Sequence, residues 1–151
     1  MNEKMAKIII NKKFSDVAVN NRLIKEQKEG KKGCEEMISK LFHSRTQAHV
    51  LHLQTKSYAE HKALEGYYDT IVDLIDDITE SYQGKHGIIE GYKSYDIVNY
   101  QNNSQVVKYF QDLEKEVQKL REFFKESYLQ NEIDNVEKLI NSTIYKLKYL
   151  K

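Results

Sequence analysis

Leu64-Glu65-Gly66-Tyr67-Tyr68-Asp69-Thr70-Ile71-Val72-Asp73-Leu74-Ile75-Asp76-Asp77-Ile78-Thr79-Glu80-Ser81-Tyr82 carries two patterns at once. Leu64, Tyr68, Ile71, Ile75, Ile78 and Tyr82 recur at intervals of three and four residues, the period of a helix with one apolar face. Beside them runs a second row, His61, Glu65, Asp69, Asp73, Asp76 and Glu80, almost all four residues apart. Ser57, with Glu60 three residues on, forms a capping-box pattern ahead of the stretch, and Gly84 is placed to stop it. The spacing therefore predicts one amphipathic helix from about residue 58 to about residue 84.

The same period extends to either side. Upstream, Met37, Ile38, Leu41, Ala48, Leu51 and Thr55 predict a helix of roughly six turns beginning near Cys34. Downstream, residues 84–103 hold Gly84, Gly87, Gly91, Asn99, Asn102 and Asn103 and are too long for a tight turn between neighbouring helices, so they read as a crossover. Ser104 is placed to cap a third helix running to about Tyr128, with Val106, Tyr109, Phe110, Leu113, Val117, Leu120 and Phe124 inward. Ile133, Val136, Leu139, Ile140, Ile144, Leu147 and Leu150 mark a fourth, turned back against the third by a junction near Leu129 to Asn131. The expectation is an all-α fold, a ferritin-like four-helix bundle with a long crossover between helices 2 and 3.

Composition points the same way. Among 151 residues there is no proline, glycine occurs six times and 31% of residues are charged, so little interrupts a helix and much can solvate one. Cys34 is the single cysteine, which removes disulfide frameworks and cysteine-based metal clusters from consideration. No apolar run approaches the roughly 20 residues a membrane span requires, and Ile8-Ile9-Ile10 is too short for a signal-peptide core. No membrane partner and a cytoplasmic location are the expectations. Residues 1–33 lack a sustained period and end in Gly30-Lys31-Lys32-Gly33, so they read as an arm with one short helix near 15–28, ahead of a bundle over 34–151. Through residue 32 the arm carries nine Lys or Arg against four Asp or Glu. That excess reads either as a solubilising tail or as a contact for phosphates through Lys4, Lys7, Lys12 and Lys13.

The acidic row is the one candidate for chemistry. At 100° per residue its acids fall within about 80° of one another, and the row flanks the apolar face instead of lying inside it. Aligned carboxylates repel unless a cation or a basic partner lies between them. Carboxylates with imidazole suit divalent first-row metals such as iron, manganese or zinc, although the bland reading of such a row is a solvated helix face.

Leu74-Ile75-Asp76-Asp77-Ile78-Thr79-Glu80 resembles the Leu-Ile-Asp-x-Ile-Ala-Glu segment of the Dps mini-ferritins. In that family a His and an acid one turn later stand near the start of the helix, and an Asp and a Glu follow 15 and 19 residues after the His; His61, Glu65, Asp76 and Glu80 match those intervals. The family takes a further His from the preceding helix, for which His49 fits the interval and His52 fits the inward stripe. The resemblance covers roughly residues 34–150, and the richness in Lys, Asn, Ile and Tyr is similar to that of small phage-encoded ferritin-like proteins. It departs from the family at Glu65, where an Asp is usual, and in lacking the Trp after the helix-one His and the Gly of the following loop. The resemblance implies Fe(II) oxidation and sequestration, with Mn or Zn as alternatives in the same site. The site would be shared across a two-fold axis of a homo-oligomer building toward a shell, and the arm would contact DNA non-specifically. Residence would be the host cytoplasm, or the virion if the protein is phage-encoded. The rival class is a structural or interaction protein, a ferritin-like scaffold or particle component without turnover. A di-metal oxidase within one bundle is disfavoured because no Glu-x-x-His occurs. His43 and His86 take no assigned role, and Cys34 reads as a small buried apolar group.

Overall fold

The computed structural model describes residues 3–150, and the side chains of all of these but residues 3, 4, 6 and 8–11. Among the described residues there are four α-helices and no strand: α1 (Glu3–Gln54), α2 (Tyr58–His86), α3 (Asn103–Leu120) and α4 (Ser127–Tyr149), with a single 3-10 turn at Arg121–Phe123. α1 packs on α2, α2 on α4, α4 on α3 and α3 on α1, so each helix has two flanking neighbours and little contact along the diagonal.

Polar contacts fix the directions of these helices. α1 and α2 meet at a turn where Ser57 Oγ accepts from the Glu60 amide at 3.3 Å. Residues 87–102 have no regular structure and run along α1 in its own direction. The Lys93 amide donates to Ser39 Oγ (2.9 Å), the Val98 amide and carbonyl are both held by the Gln47 amide group (2.8 and 2.7 Å), and the Tyr100 amide donates to Gln54 Oε1 (2.7 Å). α3 therefore begins at the same end of the bundle as α2. α4 ends there too, because Asn103 Nδ2 donates to the Leu147 carbonyl at 3.1 Å. The running order is up, down, down, up.

Most of the expected apolar stripes form the core: Met37, Ile38, Leu41, Ala48 and Leu51 of α1, Leu64, Ile71, Ile75, Ile78 and Tyr82 of α2, and their counterparts on α3 and α4 are buried, except that Tyr109 and Leu139 are partly buried and Leu150, past the end of α4, is exposed. Three details differ. Tyr67, fully buried, takes the core position expected of Tyr68, because Ser44 on α1 meets its hydroxyl at 2.7 Å. α3 is capped by Asn102, whose Oδ1 accepts from the Gln105 amide at 2.9 Å, two residues before the expected Ser104. It also ends near Leu120 instead of Tyr128, because Gln130 Nε2 donates to the Arg121 and Phe124 carbonyls while Arg121 reaches Glu137 and Asp134 of α4, both at 2.8 Å. The turn is thus closed by side chains from the next helix.

The expected break at Gly30–Gly33 is not one. α1 continues through it, and Gly33 is where the Phe123 ring lies against the helix backbone so closely that a Cβ would overlap the ring. Burial begins at Gly33; residues 12–29 before it are exposed throughout, and the expected short helix near 15–28 is part of one 52-residue helix.

Two polar nodes lock opposite ends of the bundle. At the α1–α2 turn, Glu60 is only 3% exposed; its carboxylate accepts from Thr55 Oγ1, from Tyr100 Oη at 2.9 Å and from Asn103 Nδ2 at 3.1 Å. It joins the turn, the crossover and α3 without a cation. A buried carboxylate stripped of donors is costly, so Glu60→Ala is expected to lower stability by about 2–3 kcal/mol and Tyr100→Phe by about 1–2 kcal/mol. The double variant should lose less than the sum, as read by urea denaturation.

At the other end, Glu126, at the start of α4, receives Lys85 Nζ and His86 Nε2 from the end of α2, both at 2.8 Å. Burial works to raise its pKa, but hydrogen bonds from Lys85, its own backbone amide and His86 outweigh that and hold it at about 2. A carboxylate with a depressed folded pKa stabilises above its ordinary value and stops doing so as the pH falls toward the folded one. Wild type should therefore lose stability relative to Glu126→Gln as the pH drops from about 4.5 to about 2, in parallel denaturation series.

Candidate metal centre at the α1–α2 turn

His52 is one turn from the end of α1 and His61 one turn into α2, so the hairpin brings them face to face. Their rings stack with centroids 3.6 Å apart and planes 22° from parallel. His52 Nδ1 donates to the His61 carbonyl at 2.9 Å, and His61 Nδ1 donates to the His52 carbonyl at 3.0 Å. A carbonyl can only accept, so both Nδ1 atoms carry hydrogen, and in the neutral ring the lone pair is left on Nε2. This is the arrangement that orients metal-binding imidazoles, with Nδ1–H tied to a carbonyl and Nε2 free.

His49, one turn back on α1, stacks on Tyr68 (centroids 4.3 Å apart) and has its ring 5.8 Å from that of His52. Of the two histidines left open by the sequence, His52 is the one in direct contact with His61. Glu65, one turn beyond His61, is ion-paired with Lys62. The Lys62 hydrogen bond is the largest influence lowering the Glu65 pKa, against some burial, and the charges of Lys62, His52 and His61 add smaller amounts in the same direction.

Asp76 and Glu80 are exposed and lie about 22 Å and about 28 Å along the α2 axis from His61, at 1.5 Å per residue. They cannot join the histidines within one chain. Among the described residues no group of three or more His, Cys, Asp or Glu is close enough to hold a metal ion. One chain thus presents an imidazole pair with an adjacent carboxylate at one level of α2 and two carboxylates at another.

Elsewhere, Lys7, Lys12 and Lys13 are exposed on the projecting part of α1, and the side chain of Lys4 lies outside the described residues. Burial pushes the Cys34 thiol up to about 12, as befits a small apolar core residue. His86 finds in Glu126 a partner 40 residues away that no spacing could reveal. Glu60 was legible as part of a capping box, but its carboxylate turns inward and the Ser57 amide donates to Thr55 Oγ1 instead. No helix among the described residues is long and apolar enough to cross a membrane.

The architecture defines an all-helical bundle with a histidine pair at one hairpin. Residues 52–147, from the last turn of α1 to the end of α4, match a family of unknown function, DUF5856, and the chain belongs to that family. A 75-residue stretch, 50% of the chain, is 33% identical to the uncharacterized 14.6 kDa protein in the mobD–ri intergenic region of Enterobacteria phage T4; it spans 52% of that protein, about half its length. No solved structure matches.

The tautomer assignment is directly checkable. Long-range ¹H–¹⁵N spectra should place the proton on Nδ1 of His52 and His61 near neutral pH and leave Nε2 bare; protonated Nε2 with bare Nδ1 on either ring would contradict the reciprocal bonding.

Proposed function

We propose that the chain is a ferritin-like, Dps-like metal protein whose Fe(II) site is completed between two copies, with His52, His61 and Glu65 from one and Asp76 and Glu80 from the other. The observation that carries this reading is the reciprocal Nδ1-to-carbonyl bonding of His52 and His61, which spares both Nε2 atoms. His49 is the alternate imidazole. The up, down, down, up order, with a crossover lying along α1, and the segment Leu74 to Glu80 support the ferritin-like assignment. Iron is the substrate: two Fe(II) give up one electron each to one peroxide, which takes up two protons and leaves as two waters. The iron is then sequestered within the oligomer, in the host cytoplasm or the virion. Mn or Zn fits the same donors. The Lys62 ammonium occupies Glu65 in the single chain and must be displaced by the metal.

That ion pair, with the incomplete ligand set of one chain, favours a second reading: a ferritin-like scaffold or particle component that assembles without turnover. Anaerobic Fe(II) titration followed by peroxide separates the two. Wild type is expected to oxidise Fe(II) saturably and faster than the protein-free control, with the excess lost in His61→Ala and in Asp76→Asn with Glu80→Gln. Equal mixing of those two variants should restore about a quarter of the sites, as random pairing of copies dictates. Rates equal to the control throughout would leave the scaffold reading standing. The weak DNA contact attached to this reading predicts binding through Lys4, Lys7, Lys12 and Lys13 that falls steeply with salt.

A further inference from the structure

α2 ends beside Leu23 and Ile24 of α1, so residues 3–22 project past their own bundle as a helix about 30 Å long with no neighbouring helix of the same chain. A lone helix containing Ser15, Asp16, Val17, Val19, Asn20 and Asn21 is poorly supported by propensity, and it exposes Phe14 (71%) and Val17 (56%) to water. It needs a surface to lie on. Its charge says which kind: Lys7 and Lys13 form no ion pair among the described residues, are about 9 Å apart along the axis, and at 100° per residue flank Phe14 and Val17 on one face about 120° wide, while Lys12 lies on the other side.

The complementary set is on α2. Asp69, Asp73 and Asp77 are exposed, stand at i, i+4 and i+8 in one row spanning about 12 Å, and also form no ion pair among the described residues. Most acids on α3 and α4, by contrast, are answered within the chain: Asp112 by Lys108 and Lys115, Glu116 by Lys40, Asp134 and Glu137 by Arg121. The two unanswered sets have opposite sign and similar length, and the arm cannot turn back to reach its own α2.

We infer that the arm is an intermolecular clasp: Lys7 and Lys13 of one copy dock on the Asp69, Asp73, Asp77 row of a second copy, which lends its own arm in return. Nucleic acid would also answer the lysines. It would not explain the matching row of carboxylates on the same chain, nor cover Phe14 and Val17. The inference uses neither the histidines nor Asp76 and Glu80, so it stands apart from the metal reading.

The test is mass by size-exclusion chromatography with light scattering on the full chain, in chelator so that metal-bridged association is removed. A species of at least twice the 17.9 kDa chain mass is expected at low salt, dissociating as salt rises. Reversing the arm (Lys7→Glu, Lys13→Glu) or the row (Asp69→Lys, Asp73→Lys, Asp77→Lys) should each give monomer, with the cooperative unfolding transition of the bundle unchanged because these side chains are exposed and helicity lost only to the extent that the undocked arm frays. Combining both reversals in one chain should restore the larger species. A wild-type monomer in chelator, an oligomer that survives either reversal, or no rescue by the combination overturns the inference. So does an arm reversal that abolishes retention on duplex DNA while leaving the mass unchanged.

Discussion

The bundle depends on how residues 87–102 satisfy their backbone polar groups. A connection that must travel the length of a bundle without helix or strand would leave its amides and carbonyls unpaired against an apolar surface, at a cost comparable to a lost hydrogen bond for each. Here α1 supplies the partners. Gln47 gives its carbonyl and its amide to the two polar groups of Val98, Ser39 takes the Lys93 amide, and Gln54 takes the Tyr100 amide and donates to Asn99. These side chains act as a template for an extended segment. With the segment held parallel to α1, α3 must start at the α1–α2 turn and run down, and only then does every neighbouring pair in the bundle become antiparallel.

Glu60 makes that choice of end specific. A carboxylate buried without a cation is unfavourable unless its lone pairs are filled, and the donors that fill them come from three places that meet only in this topology: Thr55 before α2, Tyr100 at the end of the crossover and Asn103 at the start of α3. Asn103 spends its second amide hydrogen on the Leu147 carbonyl and brings in α4. A simple up-and-down bundle would carry the same apolar stripes but would leave Glu60 short of donors. Discrimination between the two lies in polar pairing more than in the core.

The helices were legible in the sequence because a three-and-four apolar spacing is a local signal, and the crossover was legible because nothing helical spans residues 87–102. Errors arose where distant side chains decide. The end of α3 is set by Gln130 and Arg121 across a turn, the choice of Tyr67 over Tyr68 by Ser44, and the place of Gly33 within a continuous helix by the fit of the Phe123 ring against it. Glycine in that tetrad looked like a break, whereas at Gly33 it is the absence of a Cβ that lets two elements touch. At the candidate site, the family intervals brought out His49, His61, Glu65, Asp76 and Glu80 and the inward stripe brought out His52; the hairpin stacks His52 on His61, while Asp76 and Glu80 lie far along α2. Which nitrogen each ring presents, and that Lys62 holds Glu65, were beyond any reading of spacing.

The two halves of the acidic row also differ in what the fold does with them. Near the turn, His61 and Glu65 have near neighbours that fix their chemistry, a carbonyl for one and an ammonium for the other. From Asp69 onward the carboxylates have no ion pair among the described residues, although Lys and Glu elsewhere on the surface pair readily at i, i+3 and i, i+4. Five exposed acids on one helix weaken that helix by mutual repulsion, by a few tenths of a kcal/mol for each like-charge neighbour. Water solvates them in the single chain, and because the lysines of the projecting arm cannot turn back to them, a cation that relieved their repulsion would have to come from outside the chain.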